Sequence, residues 1–447
     1  MTGGLQFQKI RRVYTKQLYE DLRTDPNLKL IDVRSPEAYN GWKLRNELRG
    51  GHIQHAKSLP HIWADYIDWI EIVRSKQIMP FHSIVIYGYD SAEAEKVAHR
   101  FIRAGYPDVK IYYDFISDWT SNISLPMQRL SRYRHLVSAQ WLAELIEKDA
   151  AREYDNDKYV ICHAHYRNRQ AYTEGHIPGA AEIDTCTLES PETWNRRPAA
   201  EIKDTLENLG ISFDTTVILY GKYSYPDNND EFPGSSAGHL GAIRCAFIMM
   251  YAGVKDVRVL NGGLQSWIDA GYELSTEECN LYRADFGADI PVNPKYAVDI
   301  DKAKEILDSD DKNLVSVRSW REFTGQVSGY NYINKKGRIP GAIFGNCGSD
   351  AYHMENYRNL DHTTREYHEI EKMWAEAGIS SDKHNAFYCG TGWRGSEAFY
   401  NAWLMGWPRV SVYDGGWFEW SSDDSNPYET GLPGQVNQEI KTGVLSK

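Results

Sequence analysis

The sequence predicts an α/β protein of three consecutive modules, each a mainly parallel sheet flanked by helices. Three observations lead there. One arrangement of strand, turn and short helix occurs three times along the 447 residues. Each occurrence is followed by a second apolar strand that opens into helical sequence. Each unit then closes on a third strand. Strands alternating with helices over repeated units require crossover connections, and so parallel sheets covered on both faces.

In the first unit, LKLIDVRSPEAYNGW at 28–42 reads as a buried strand, a turn and a short helix, and GGHIQHAKSLP follows at 50–60. SIVIYGYDS at 83–91 is the next strand, and VKIYYDFISDW is the last. The second unit repeats the order with KYVICHAHYRNRQAYTEGHIPGAAEI at 158–183, TVILYGKYS at 216–224 and VRVLNGGLQSW. The third does so with NLVSVRSWREFTGQ, GRIPGAIFGN, NAFYCGTGW at 385–393 and VSVYDGGWFEW. Boundaries are expected near residues 130 and 288, giving modules over 1–130, 131–288 and 289–447. LPMQRLSRYRH and CNLYRADFGADIPVNPKYAV connect them.

With 42% hydrophobic and 25% charged residues, composition is that of an ordinary globular chain. No apolar run approaches the roughly 20 residues that span a bilayer. The opening MTGGLQFQKIRRVYTKQL lacks the apolar core of a secretory signal, so a cytoplasmic location is expected. A net charge of −12 argues against a nucleic-acid partner held by a basic surface. The six cysteines form no CxxC pair, which suggests neither a zinc knuckle nor a disulfide framework. The spacing of His353, His362 and His368 makes no convincing metal set.

The stretch NAFYCGTGWRGSEAF at 385–399 carries the chemistry. A strand delivers Cys389 to a glycine-rich loop that opens a helix, whereas the first and second units have Gly88 and Gly221 at the same place. Backbone N–H groups and the helix dipole converge on such a point and favour the thiolate, which is the nucleophile. Gly390 and Gly392 let the backbone curl close to the sulfur. Arg394 either adds a permanent positive charge or braces the loop against neighbouring carboxylates. Cys162, Cys186, Cys245, Cys279 and Cys347 have no comparable setting and are expected to be structural.

DVRSPEAY…GHI, GHIPGA, GRIPGA, the strand-to-loop cysteine and the GG(L/W)xxW ending resemble the rhodanese family of sulfurtransferases. The resemblance covers nearly the whole chain and implies one small α/β module per unit, of which only the third is active. Phosphatases of related architecture use Cys-x5-Arg to cradle phosphate, whereas Cys389 to Arg394 is Cys-x4-Arg. In the family that smaller loop wraps one outer sulfur, so a persulfide on Cys389 is implied, held by the amides of the loop. Gly390, Thr391, Gly392, Trp393 and Arg394 are then the positions around it. The first two modules serve as scaffold or help shape the site, and the long polar loop after Gly221 lies across a cleft or is a solvated surface loop. Arg338, where the motif usually has histidine, is read as a structural change.

CGTGWR matches neither the basic loop of thiosulfate-type rhodaneses nor the small-residue loop of mercaptopyruvate-type enzymes. Trp393 puts a large aromatic there, and Trp417 and Trp420 follow YDGG nearby. The expanded segment SWREFTGQVSGYNYINKKGRIPG carries Tyr330 and Tyr332, and a phenol beside a persulfide can protonate an acceptor nitrogen. Loop and insertion together are similar to the hercynine-sulfurating branch of the family. That resemblance implies polysulfide as donor and hercynine (trimethylhistidine) as acceptor, with sulfur added at imidazole C2 to give ergothioneine. It implies Tyr330 as the group that contacts and protonates the imidazole, and no cofactor or metal. A trimethylammonium group suits an aromatic box, for which Trp393 and Trp417 are candidate walls. Two other readings stay open: a thiosulfate or 3-mercaptopyruvate sulfurtransferase, and a non-catalytic interaction protein built of rhodanese modules.

Overall fold

The computed structural model describes residues 10–223 and 237–434. It contains three five-stranded sheets, and every strand pair within them is parallel. Counted along each unit, the fourth strand lies at the centre, the second and fifth flank it, and the first and third form the edges. The central strands are Ser83–Tyr87, Thr216–Gly221 and His384–Tyr388, buried nearly throughout. Their apolar runs IVIY, VILY and AFY are what a strand covered on both faces needs. In open parallel sheets, ligands bind beyond the carboxyl ends of the strands. That end of the third central strand delivers Cys389.

One corner repeats in all three units. In the first, the His52 ring stacks on Tyr39 at 3.7 Å and its Nδ1 lies 2.8 Å from Tyr39 O. In the second, His176 stacks on Tyr172 at 3.9 Å with the same backbone partner at 2.9 Å. In the third, the Arg338 guanidinium lies 5.1 Å over Phe323 and donates to Gly431 O at 2.6 Å. A flat cation replaces a flat ring, and the substitution is structural.

Packing divides the chain into Met1–Arg134 and His135–Lys447. The first unit holds two apolar clusters, one on each face of its sheet, around Trp63, Trp69 and Phe101 and around Tyr87, Phe115 and Trp119. In the second unit, the helix Ala237–Ala252 packs against the helix Trp393–Leu404, with Phe247 and Phe399 edge to face at 5.3 Å. Both helices are buried around most of their circumference, which explains why neither has a charged outer stripe. No helix among the described residues is long and apolar enough to cross a membrane. Residues 224–236, most of the polar loop expected near a cleft, fall outside the described residues.

A buried ionic cluster joins the second sheet to the third. Arg244 Nε lies 2.9 Å from Glu189 Oε2, and Arg244 Nη2 lies 2.6 Å from Asp414 Oδ1; all three side chains are fully buried. Arg196 reaches the other oxygen of Asp414 at 2.8 Å. Removing one member strands charges away from water, which costs more than the pair contributes. Arg244→Met is therefore expected to lower stability by ~3–5 kcal/mol. The check is urea unfolding, where the midpoint should fall with the slope unchanged.

Candidate active site

Cys389 is the first residue beyond the central strand, and the helix Trp393–Leu404 begins four residues later. Two main-chain hydrogen bonds fasten the turn between them: Trp417 N–H donates to Cys389 O at 2.8 Å and Phe418 N–H to Gly390 O at 2.9 Å. Because a trans peptide points its N–H opposite its C=O, the N–H groups of Gly390 and Thr391 face away from that segment. The first N–H groups of the helix have no intrahelical acceptor and add to the donor set. Gly416, at a φ of 57°, makes the fastening possible, since a Cβ there would lie 2.7 Å from Cys389 O.

Tyr330 closes one side of the loop. A Cβ on Gly390 would lie only 2.1 Å from Tyr330 Cε2, so the ring rests directly on the glycine backbone. The phenol donates to Ala351 O at 3.3 Å and accepts from Arg394 Nη2 at 3.3 Å. Burial raises its pKa above the ordinary tyrosine value, against the pull of Arg394, so it keeps its proton.

Arg394 braces rather than merely charges the loop. Its two terminal nitrogens donate to the two oxygens of Glu322, each at 2.9 Å, and Nη1 also reaches Asp350 O and Cys347 Sγ at 3.2 Å. Glu322 is placed by a capping box with Ser319 at the start of the short helix Trp320–Phe323. Arg318 joins it at 3.3 Å. In the first module the corresponding Arg34 is paired to Asp32 instead; here Ser316 occupies the aspartate's place and Arg318 turns to Glu322. Burial would raise the Glu322 carboxyl, but Arg394 and Arg318 outweigh it and hold it down at about 2. Cys347 is pushed up to about 12 by burial and stays a neutral thiol beside Arg394. Grouped with the structural cysteines from sequence, it lies against the site.

The remaining expected residues separate. Thr391 and Gly392 lie in the loop itself, both buried. The half-buried Trp393 donates its indole N–H to the Glu189 carboxylate at 2.8 and 3.0 Å. Trp417 differs from the expected box wall. Its ring is wholly buried in the module core, 5.1 Å beneath Arg318, with its indole N–H donated to Lys335 O at 3.0 Å. What it gives the site is its backbone N–H. Trp420 is likewise core, bonded to Pro427 O at 2.8 Å.

Sequence reasoning missed Glu322, although the SWRE capping box was readable, and it missed Tyr166, Glu189 and Trp194 of the second module. It also missed that residues of the second module near Gly221 pack on the third. Tyr223, two residues after Gly221, stacks on His362 of the third module at 4.0 Å, and Asn261 accepts from Thr364 N–H at 2.7 Å. From the same turn, Arg358 pairs with Glu397 of the helix Trp393–Leu404 at 2.6 Å.

A rhodanese-like domain model matches residues 15–122, 138–270 and 299–423. The chain belongs to the rhodanese family. This rhodanese is 39% identical over 427 residues to the thiosulfate sulfurtransferase YnjE of Escherichia coli (strain K12), covering 94% of this chain and 93% of YnjE. It is 62% identical to the wild-type structure of EanB, with a TM-score of 0.92 over 95% of this chain and 98% of that one. A second EanB structure, at 62% identity and a TM-score of 0.91, carries a cysteine persulfide in a tetrahedral intermediate state with ergothioneine; it covers 94% of this chain and all of its own. Further EanB structures hold hercynine.

Two expectations follow from the clamp. Gly390→Ala drives a methyl into the Tyr330 ring; displacement of about an ångström is expected to cut sulfur transfer about 100-fold. Thermal unfolding should show a cost of only ~1–3 kcal/mol, as for other overpacked sites. Glu322 has a folded pKa below its unfolded one, so its contribution is complete above about pH 4.5 and is lost as pH falls towards 2. Acid unfolding of Glu322→Gln should lack that part of the pH dependence, of order 3 kcal/mol in the parent.

Proposed function

We propose that this rhodanese is a cytoplasmic sulfurtransferase that takes sulfane sulfur from polysulfide onto Cys389 and passes it to C2 of the imidazole of hercynine, giving ergothioneine. The observation that carries the reading is the buried, protonated Tyr330 pressed onto the Cys389 loop. Simple sulfur exchange between anions needs no such acid; an imidazole acceptor does. The EanB structures with hercynine, ergothioneine and a cysteine persulfide, at 61–62% identity, support it. They outweigh the thiosulfate reading that the 39% identical YnjE suggests.

In the first half-reaction the Cys389 thiolate attacks a sulfane sulfur, and the polysulfide leaves one sulfur shorter. The outer sulfur sits among the amides of Gly390, Thr391, Gly392 and the start of the helix, which stabilise negative charge there. In the second, Tyr330 gives its proton to an imidazole nitrogen, and Arg394 Nη2 supports the phenolate. C2 then bonds the outer sulfur, the S–S bond breaks towards Cys389, and the C2 proton restores the phenol. One hercynine and one persulfide become one ergothioneine and one thiol. No oxidant is consumed.

The test is intact mass after incubation with polysulfide, with and without hercynine. The parent protein should gain one sulfur (32 Da, about the mass of one S atom) and lose it as ergothioneine forms, and Cys389→Ala should gain none. Tyr330→Phe should load normally and discharge about 10²–10⁴ times more slowly. Loading that hercynine leaves untouched rejects the acceptor but not the persulfide.

A further inference from the structure

The second module has no thiol at its loop, yet it sends one element to the catalytic loop of the third. Glu189 and Arg196 pair as an isolated antiparallel bridge and close a hairpin over residues 190–195. Across it, Ser190 N–H donates to Asn195 O at 2.8 Å and Trp194 N–H to Ser190 O at 2.7 Å. Trp194 at the tip has a φ of 62°, a left-handed conformation that a bulky side chain avoids unless its surroundings impose it. The surroundings do. Arg244 Nη2 donates to Trp194 O at 2.9 Å, the Arg196 N–H and Nη1 each donate to Asp414 Oδ2 at 2.8 Å, and Asn195 Nδ2 donates to Glu419 Oε1 at 3.2 Å. Asp414 and Glu419 belong to the same YDGGWFEW segment whose backbone holds the Cys389 carbonyl. Hairpin tip and thiol loop are therefore referenced to one rigid support.

The hairpin presents a ring. Trp194 stacks on Tyr332 at 5.6 Å with 21° between planes, and meets Trp393 edge-on at 6.3 Å. Tyr166, also from the second module, lies 5.4 Å from Trp194 and 5.8 Å from Trp393. Tyr332 stacks in turn on Tyr330 at 5.2 Å, whose ring rests on Gly390. The series runs from the thiol loop outward. Unlike core aromatics such as Trp417, its outer members keep solvent contact: Trp194, Trp393 and Tyr166 are half-buried and Tyr332 is 41% exposed.

We propose that these rings are the acceptor-recognition surface of the enzyme, with Trp194 as its specificity-determining residue. On the reading that the acceptor is hercynine, on which this rests, they receive its quaternary ammonium. That group has no N–H to donate, so hydrogen-bond acceptors cannot select it, whereas aromatic faces attract it through their quadrupoles. Glu189 and Asp414, the buried carboxylates bonded to Trp393 and to the hairpin, are already matched by Arg244 and Arg196. The second module thus supplies specificity to a reaction performed by the third.

The test titrates hercynine and histidine by calorimetry into full-length Cys389→Ala carrying Trp194, Trp194→Leu or Trp194→Phe. Removal of the ring should weaken hercynine at least ten-fold and histidine less than two-fold, with Trp194→Phe keeping most of the affinity. Thermal melting checks that each variant is folded; should Trp194→Leu fail to fold, Trp393→Leu in the same background takes its place with the same expectation. Equal losses for both ligands, or no loss for either, overturn the proposal while leaving the acceptor intact. Failure of hercynine to bind the Trp194 protein removes the acceptor reading and this proposal with it.

Discussion

The buried pair of Arg394 and Glu322 sets the geometry on which the active site depends. A bidentate guanidinium–carboxylate contact has one good orientation, so it locks the first turn of the helix Trp393–Leu404 to the short helix that precedes the tyrosine insertion. From that one guanidinium, further contacts reach Tyr330, Cys347 and the Asp350 carbonyl. A buried ion pair of this kind is weak as a source of stability, because desolvation offsets most of the attraction. Its value here is positional: it holds a neutral phenol and the Cys389 loop in one arrangement. Lysine would keep the charge and lose the fork.

The three modules show how such a site arises from a repeated frame. In the first, Arg34 is saturated by Asp32 two residues earlier and by Gly51 O at 2.7 Å. In the third, Arg318 keeps the equivalent carbonyl contact, to Gly337 O at 2.7 Å, but has Ser316 where the aspartate stood. The guanidinium then needs another anion, and Glu322 supplies it. Glu322 in turn has capacity for a second guanidinium, and Arg394 takes it. The difference between Asp32 and Ser316 thus goes with an ion pair directed to the Cys389 loop instead of one closed within its own strand.

Much of this was legible in the sequence. The central strands, the place of Cys389 after the third of them and the glycines beside it follow from local pattern, whereas Tyr330 was singled out only through the family resemblance. Glu322 lay within reach, since Ser319 and Glu322 have capping-box spacing. The role of Trp417 was misread because an aromatic after a GG turn looks alike whether its ring or its backbone does the work. Trp194 and Tyr166 left no local signal. They stand roughly 200 residues before the cysteine they approach, and their contacts exist only once two sheets have packed. The αL backbone at Trp194 has no sequence marker either, because glycine is the residue that usually announces it.

The second module carries Gly221 where the third carries Cys389. A Cβ at Gly221 would meet Gly238 O at 2.1 Å, so no cysteine fits the present backbone there. Tyr223, two residues on, stacks on His362 of the third module. That turn of the third module carries Arg358, which pairs with Glu397 on the helix that begins at the catalytic loop. At the opposite end of the same module boundary, the 189–196 hairpin is bolted to Asp414. The two attachments grip the helix Trp393–Leu404 and the YDGG segment, the two elements that between them hold the Cys389 loop.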